Sequence, residues 1–428
     1  MGYICRIESI YTQHIFFTMS KITIIGGGAA GFFAAISIAE NNPKAQIIIL
    51  ERGKNVLEKV KISGGGRCNV THACFVPREL VKNYPRGDKA LMSPFTRFAA
   101  GDTIDWFDKH GVALKIEDDG RMFPTSDDSQ TIVDCLQQAA AQKGVKILRG
   151  YRVEDVQVFD NLPVGQAGKF VIKTNQGEIE TDKIVFATGS STAVWDILKK
   201  MGHTIVKPVP SLFTFNIKDP RLEGLAGVSV NEADVKVENS KLSASGPLLV
   251  THWGLSGPGI LRLSAWGARE LFDKNYQFKI KVNWTGFYNL EEVKETLNDC
   301  KSTVYKKNIN NTPQYNLPSR LWERLMLAAQ IPLSMKWADV SKKHLQALAE
   351  QLVQGNFEVN GKSTFKEEFV TAGGVELDEV NFKTFESKLV PNLFLAGEVL
   401  NIDAITGGFN FQAAWTGGWI VGQSFLEK

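Results

Sequence analysis

The run Lys21–Arg52, KITIIGGGAAGFFAAISIAENNPKAQIIILER, permits few folds. Ile22–Ile25 is a short, mainly apolar run, long enough for a buried parallel strand. Gly26, Gly28 and Gly31 follow in G-x-G-x-x-G spacing, with Ala29 and Ala30 opening an alanine-rich helix to about Glu40. A second buried run, Ile47–Leu50, ends in Glu51, about twenty residues past the last glycine. Each part has a mechanical reason. The first glycine makes a tight turn, the second lets backbone approach a pyrophosphate, and the third lets helix lie close on strand. The helix N-terminus offers unpaired N–H groups and partial positive charge to the phosphates. Glu51 can accept from the hydroxyls of an adenosine ribose and would repel a 2′-phosphate. A dinucleotide site is the expectation.

Ile22–Ala39 also carries no charge over eighteen residues, the lower limit for a membrane helix. Four glycines, counting Gly27, and the β-like run that follows assign it to a buried βα unit instead. The chain of 428 residues is long enough for two or three domains. A net charge of +3 on a mixed surface makes no case for nucleic acid as the default partner. Cys5, Cys68, Cys74, Cys135 and Cys300 are scattered and never spaced C-x-x-C, so neither a metal cluster nor a disulfide framework is expected. Residues 1–18 lack the basic start, apolar core and small-residue cleavage site of a signal peptide. The reading is a cytoplasmic protein that binds no metal, with residues 1–20 as an N-terminal extension.

Leu57–Thr71, LEKVKISGGGRCNVT, follows the second strand. Its three successive glycines, flanked by Lys59, Lys61 and Arg67, predict a flexible cationic loop suited to phosphate or a flavin edge. Asp127–Gly144 predicts a helix with Ile132, Leu136 and Ala139 on one face. Val145–Arg149 and Tyr151–Phe159 read as strands, and Lys169–Thr174 with Glu178–Thr181 as a hairpin. Lys183–Ala187 is a further buried strand, ending in Ala187-Thr188-Gly189. At His203–Pro210 the character changes. Ser211–Asn283 alternates like strands with glycine turns, and Leu290–Gly355 switches to helical periodicity, its last helix capped at Ser341.

Phe369–Gly374 then leads back to a strand signal at Pro391–Gly397 and a glycine-studded end, Glu398–Gly422. FAD is too long for one βαβ unit, and its isoalloxazine needs support from a second strand–turn–helix. Leu393–Gly397, followed by Gly407-Gly408-Phe409-Asn410 opening a helix through Trp419, supplies one. The expected class is α/β: a discontinuous Rossmann-like FAD-binding domain, of glutathione-reductase type, in residues 21–205 and 372–428. An inserted substrate domain at 206–371 interrupts it, β-rich over 206–287 and 356–371 and helical over 288–355.

Five segments resemble the HI0933-like (BaiN-type) family of FAD-dependent oxidoreductases: IIGGGAAG at 24–31, KISGGGRCNVT at 61–71, ATG at 187–189, THWGLSGP at 251–258, and LAGEVLNIDAITGGFNFQAAWTGG at 395–418. SGGGRCN together with the closing TGGFN block is a specific combination. The resemblance implies adenosine at Glu51 and Arg52, with backbone near Val153 beside the adenine. It implies pyrophosphate and ribityl contacts at Gly28–Gly31, Lys61, Gly66, Arg67–Asn69 (with Cys68 between) and Gly397–Glu398. It implies the flavin ring against Gly408, Phe409, Asn410 and Phe411. Members often carry an acid where this chain has Asn401, and Tyr where it has Phe409.

In a flavoenzyme the cofactor does the redox work and the protein tunes it. Negative charge develops at flavin N1 and O2, where a helix beginning near Gly408 would aim backbone N–H groups. No second GxGxxG lies between residues 150 and 370, so NAD(P)H is expected only as a transient visitor. Cys68 and Cys74 sit where flavin disulfide reductases place a redox pair, but five residues separate them instead of four. Gly254-Leu255-Ser256-Gly257-Pro258 imitates a nucleophile elbow with Pro258 in place of the last glycine. His252 and Arg121 are the weak candidates for a catalytic side chain. The leading expectation is a FAD oxidoreductase acting on a small organic substrate, by enone reduction or amine oxidation. An RNA-modifying flavoprotein and a non-catalytic flavin-binding module are the alternatives.

Overall fold

The computed structural model describes residues 19–159, 169–363 and 370–426. Residues 1–18 of the expected extension and 364–369 of the expected insert lie outside the described residues.

The opening unit is β1 (Lys21–Ile25), α1 (Ala29–Asn41) and β2 (Gln46–Glu51), the two strands parallel with Ile22 beside Ile47 and Ile25 beside Leu50. Both strands are apolar because both faces of this sheet are covered. The glycine-rich stretch that follows departs from the loop expectation. Leu57, at φ 59°, starts α2 (Glu58–Gly66), which is broken at Ser63, Gly64 and Gly65. A flexible loop is ruled out locally, because Lys61 N–H already bonds Leu57 O at 2.9 Å and closes a helical turn.

Three short elements, α3 (Pro77–Leu80), α4 (Asp88–Phe95) and α5 (Ala100–Lys109), fill a region the sequence left without a pattern. Around them β3 (Thr71–His72), β4 (Leu114–Ile116) and β5 (Arg121–Pro124) form a small antiparallel sheet in the order β3-β5-β4. The expected helix is α6 (Ser129–Gln142), whose N-cap Asp128 accepts from Gln130 N–H at 2.8 Å. Next, β6 (Lys146–Arg149) extends the parallel sheet beside β2. An antiparallel trio, β7 (Val153–Phe159), β8 (Lys169–Thr174) and β9 (Gly177–Thr181), crosses back to β10 (Lys183–Phe186) on the other side of β1. Helix α7 (Thr192–Lys200) follows.

The insert is entered by β11 (Ile205–Ser211) and holds β12 (Thr214–Asn216), β13 (Ser229–Val237), β14 (Ser243–Thr251) and β15 (Gly254–Ser256). Helices α8 (Pro258–Trp266) and α9 (Ala268–Asp273) then interrupt the expected strand alternation. Pro258 is compatible with the first of them: it stands at the first helical position, where its missing N–H costs nothing. The remainder is β16 (Gln277–Asn283), the helices α10 (Leu290–Thr303), α11 (Ser319–Ala328) and α12 (Lys342–Val353), then β17 (Gly355–Asn360) and β18 (Lys362–Ser363). Strand order β17-β16-β13-β14-β15-β12-β18 closes on itself, because β18 continues β17 across Gly361. Val293 and Leu297 of α10, Trp322 of α11, Leu345 and Leu348 of α12, and Trp337 from the turn before α12 share one core with Ile280 and Val282 of β16 and the adjoining Trp284.

The chain returns through β19 (Val370–Val375), which pairs antiparallel with β11. Then β20 (Val380–Asn381), β21 (Glu386–Ser387), β22 (Leu393–Leu395) and α13 (Phe409–Gln423) complete the molecule. The main sheet reads β20-β21-β22-β10-β1-β2-β6, parallel from β22 to β6. Helices α1 and α13, the first and last, pack on one another at Gly418 and Gly422. Turns leaving β1, β10 and β22 therefore open side by side at the carboxyl edge of the sheet, where such folds bind ligands.

Candidate cofactor and substrate site

A cavity of about 450 Å³ runs along that edge. Its first stretch is lined by Gly26, Gly27, Gly28, Ala29 and Ala30 below β1, by Glu51 and Arg52 after β2, and by Ala187, Thr188 and Gly189 after β10. Glu51 is fixed by two backbone donors: Gly27 N–H at 2.9 Å on one oxygen and Gly53 N–H at 2.7 Å on the other. Each oxygen keeps a lone pair for a ligand hydroxyl. The glycines divide by role. A β-carbon on Gly26 would strike Ala187 O and one on Gly31 would strike Gly26 O, whereas one on Gly28 would meet nothing within 4 Å. Gly28 is the position left clear for a ligand. Thr188 Oγ1 is buried on this wall with no partner among the described residues.

Lys59 and Glu398 pair at 2.7 Å farther along, joining α2 to the turn after β22. Beyond them lie Ser63, Gly64, Asn69, Gly397, Thr406, Gly407, Gly408, Asn410 and Phe411. Gly408 caps α13 at φ 89°, and a β-carbon there would sit 2.6 Å from Thr71 O. Asn69, with its amide turned to satisfy both ends, accepts from Gly408 N–H at 3.0 Å and donates to Thr71 O at 3.0 Å. Helix α13 is pinned further by Tyr84 Oη donating to Phe409 O at 2.6 Å and Trp415 Nε1 donating to Val70 O at 2.9 Å. Its first-turn N–H groups have no intrahelical acceptor and carry the positive end of the helix dipole.

Several residues expected at this site lie elsewhere. Lys61 faces away from the cavity and lines a second one of about 460 Å³ with Gln130, Gln137 and Arg149. Two residues along a helix turn a side chain through about 200°, so Lys59 and Lys61 cannot share a face. Arg67 points outward, bonding Glu117 at 2.6 Å and resting 3.9 Å over the Phe123 ring. Gly66, Cys68 and Val153 do not line the cavity, and Gly31 serves only the close packing beneath Gly26. The Phe409 ring stacks on His72 at 4.6 Å and is buried, leaving its backbone alone near the ring end. Burial pushes the Cys68 thiol up to about 12, and Cys68 and Cys74 are both free thiols. His252 stands exposed in the turn between β14 and β15, off the cavity wall. Arg121 is on it.

Other wall residues carry no motif. Leu212, Leu261 and Val370 come from the insert and its two crossings, which periodicity cannot bring together. Behind the site Asp403, fully buried, bonds Arg86 and accepts from Ser211 Oγ at 2.9 Å, while Arg86 also donates to Ala265 O at 2.7 Å. No group of metal-ligating side chains occurs among the described residues, and none of their helices is long and apolar enough to cross a membrane.

The trough fits an extended flavin dinucleotide on three counts: the opening at Gly28, the half-used carboxylate of Glu51, and the free helix end at Gly408. A family model described as the HI0933-like protein Rossmann domain matches residues 20–424. The ribosomal RNA dihydrouridine synthase of Escherichia coli (strain K12) is 31% identical over 415 residues, covering 94% of this chain and 97% of that one. The 3-dehydro-bile acid delta(4,6)-reductase of Clostridium scindens is 26% identical over 424 residues, covering 96% and 100%. Among solved structures, 3-ketosteroid-delta4-(5alpha)-dehydrogenase from Rhodococcus jostii RHA1 superposes with a TM-score of 0.50 at 14% identity, covering 99% of this chain and 100% of that one. That last likeness is one of fold.

Proposed function

The chain belongs to the HI0933-like family of FAD-dependent oxidoreductases, and we propose that it reduces a carbon–carbon double bond conjugated to a carbonyl. The two relatives support this choice over amine oxidation. One is named for making dihydrouridine and the other for reducing a 3-dehydro-bile acid. Uracil and a 3-oxo-Δ4,6 steroid differ in size, but each presents an alkene in conjugation with a carbonyl.

The observation that carries the reading is the division of the cavity. One stretch is built of backbone N–H groups and a carboxylate; the other, past the start of α13, faces Arg121 with the aliphatic Leu212, Leu261 and Val370. Bound FAD supplies hydride chemistry. The chain's own residues do the rest. Glu51 would hold the ribose, Gly28 would admit the pyrophosphate, and the Lys59–Glu398 pair would lie along the middle of the dinucleotide. Helix α13 aims its first N–H groups at developing negative charge. The insert wall keeps water from the reacting carbon. A reduced nicotinamide serves as a transient electron donor, with no dedicated domain.

A uracil base presented by ribosomal RNA is the second reading, favoured by the relative of 31% identity. One experiment addresses both. Purified holoprotein is reduced anaerobically with NADPH or dithionite, then mixed with 2-cyclohexen-1-one, with a 3-oxo-Δ4 steroid, and with unmodified ribosomal RNA. The expected result is reoxidation of the flavin by a conjugated carbonyl, with the saturated product found by mass spectrometry. Dihydrouridine in the RNA selects the second reading. No reoxidation by any of the three sinks the proposal.

A further inference from the structure

We propose that Arg121 receives the carbonyl oxygen of the substrate and holds the negative charge that forms on it, an inference resting on the reading of the site as a reductase of conjugated carbonyls. The other cations on the cavity wall, Arg52 and Lys59, stand beside Glu51 and Glu398 along the dinucleotide stretch. Arg121 stands at the opposite end. It opens β5, which lies beside β3 with His72 opposite Arg121 and Thr71 opposite Met122. Thr71 is the residue that a β-carbon on Gly408 would strike. One strand spacing thus separates Arg121 from the start of α13. Leu212, Leu261 and Val370 make the insert side of this end aliphatic, so Arg121 suits a ligand with an apolar body and one charged oxygen.

The guanidinium is also oriented. Its Nε donates to Asp119 Oδ2 at 2.7 Å and one Nη to Glu117 Oε2 at 3.1 Å. The other oxygen of Glu117 takes Arg67 at 2.6 Å. Two carboxylates fix the plane of the fork, and the second Nη has no partner among the described residues. The side chain is 40% exposed, reachable from the cavity.

The chemistry needs such a donor at one moment. Hydride addition to the β-carbon breaks the C=C π bond, and that electron pair moves through the α-carbon onto the carbonyl oxygen. An enolate results; a proton from water at the α-carbon restores the carbonyl. The two electrons come from reduced flavin, refilled by a two-electron donor such as a reduced nicotinamide. The oxygen is fully charged only after hydride arrives, so a preset guanidinium stabilises the transition state more than the bound substrate.

The test compares wild-type holoprotein with Arg121→Gln and Arg121→Lys. The probe is 4-chlorophenolate, a planar ring bearing an enolate-like oxygen, titrated against the visible flavin band. FAD affinity, flavin reduction potential and the rate of reoxidation by 2-cyclohexen-1-one are measured alongside. Arg121→Gln should lose phenolate binding and slow reoxidation about 100-fold, the scale of one oxyanion donor. Arg121→Lys should recover part of both, with FAD affinity and potential unchanged. Undiminished phenolate binding and rate in Arg121→Gln would overturn the assignment, as would a potential that shifts with them. If wild type reduces no conjugated carbonyl, the reductase reading fails, and the phenolate titration still decides for or against Arg121 as the oxygen's holder.

Discussion

Gly418 of α13 and Ala30 of α1 meet backbone to backbone: a β-carbon on Gly418 would lie 2.8 Å from Ala30 O. Ala30 also lines the cavity at the sheet edge, so the contact that seats the last helix on the first reaches the candidate site. Gly418→Val must push the helices apart or strain both. The expected loss is about 1–3 kcal/mol, the usual cost of overpacking a tight core. Thermal unfolding with bound flavin measures it, and release of FAD before global unfolding should accompany it. A Tm equal to wild type would show that the helices can separate freely.

Lys59 and Lys61 provide a paired test. Lys59 bridges to Glu398 over the cavity, and Lys61 faces a different one. Lys59→Ala should weaken FAD binding ~2–5-fold, the range for one well-exposed charge contact. Lys61→Ala should leave the affinity unchanged. Fluorescence titration of apoprotein decides, and the opposite ranking would mean that α2 turns when cofactor binds.

That pair marks where sequence reasoning stopped. Residues 21–51 could be read almost to the residue, since glycine spacing and two apolar runs fix a βα unit without help from distant chain. The closing helix was legible for the same reason, with Gly408 marking its start. The resemblance singles out Lys61, and a loop over Leu57–Thr71 would give Lys59 and Lys61 no fixed faces by which to tell them apart. The helical turn from Glu58 gives them faces. Residues 73–113 lacked any clean period, since α3, α4 and α5 are short and partly enclosed. The aliphatic wall was out of reach in principle. Leu212, Leu261 and Val370 meet only through tertiary folding.

Cys68 should be chemically silent. Its thiol is fully buried, and burial pushes its pKa up to about 12, so the thiol form dominates at pH 8. Alkylation of native protein at that pH, followed by mass spectrometry, should leave Cys68 unmodified. Cys68→Ser should retain normal turnover. Rapid labelling would revive a thiol role.

His72 gives a pH dependence of known sign. Burial holds its pKa below the ordinary 6.5, so the folded protein prefers the neutral ring. Its Nε2 lies 3.1 Å from Asp119 O, and its buried Nδ1 lacks a partner among the described residues. A depressed pKa contributes stability that is present above 6.5 and is lost as pH falls through the lower folded value. The ring supports Phe409 at the start of α13, so flavin retention should weaken over the same window. Tm measured from pH 7.5 to 5 should fall less steeply in His72→Gln than in wild type. Parallel slopes would exclude His72 as the source.

The insert leaves and rejoins the nucleotide fold through adjacent strands, with Ser211 of β11 opposite Val370 of β19. Whatever lies beyond that doubled stalk can be exchanged as a cassette while the parallel sheet keeps its register. Yet Leu212 and Val370, at the graft points, are themselves part of the cavity wall. A transplanted cassette would therefore carry its own substrate preference while inheriting the host's cofactor. Under such an arrangement, substrate preference can diverge while the cofactor stays the same.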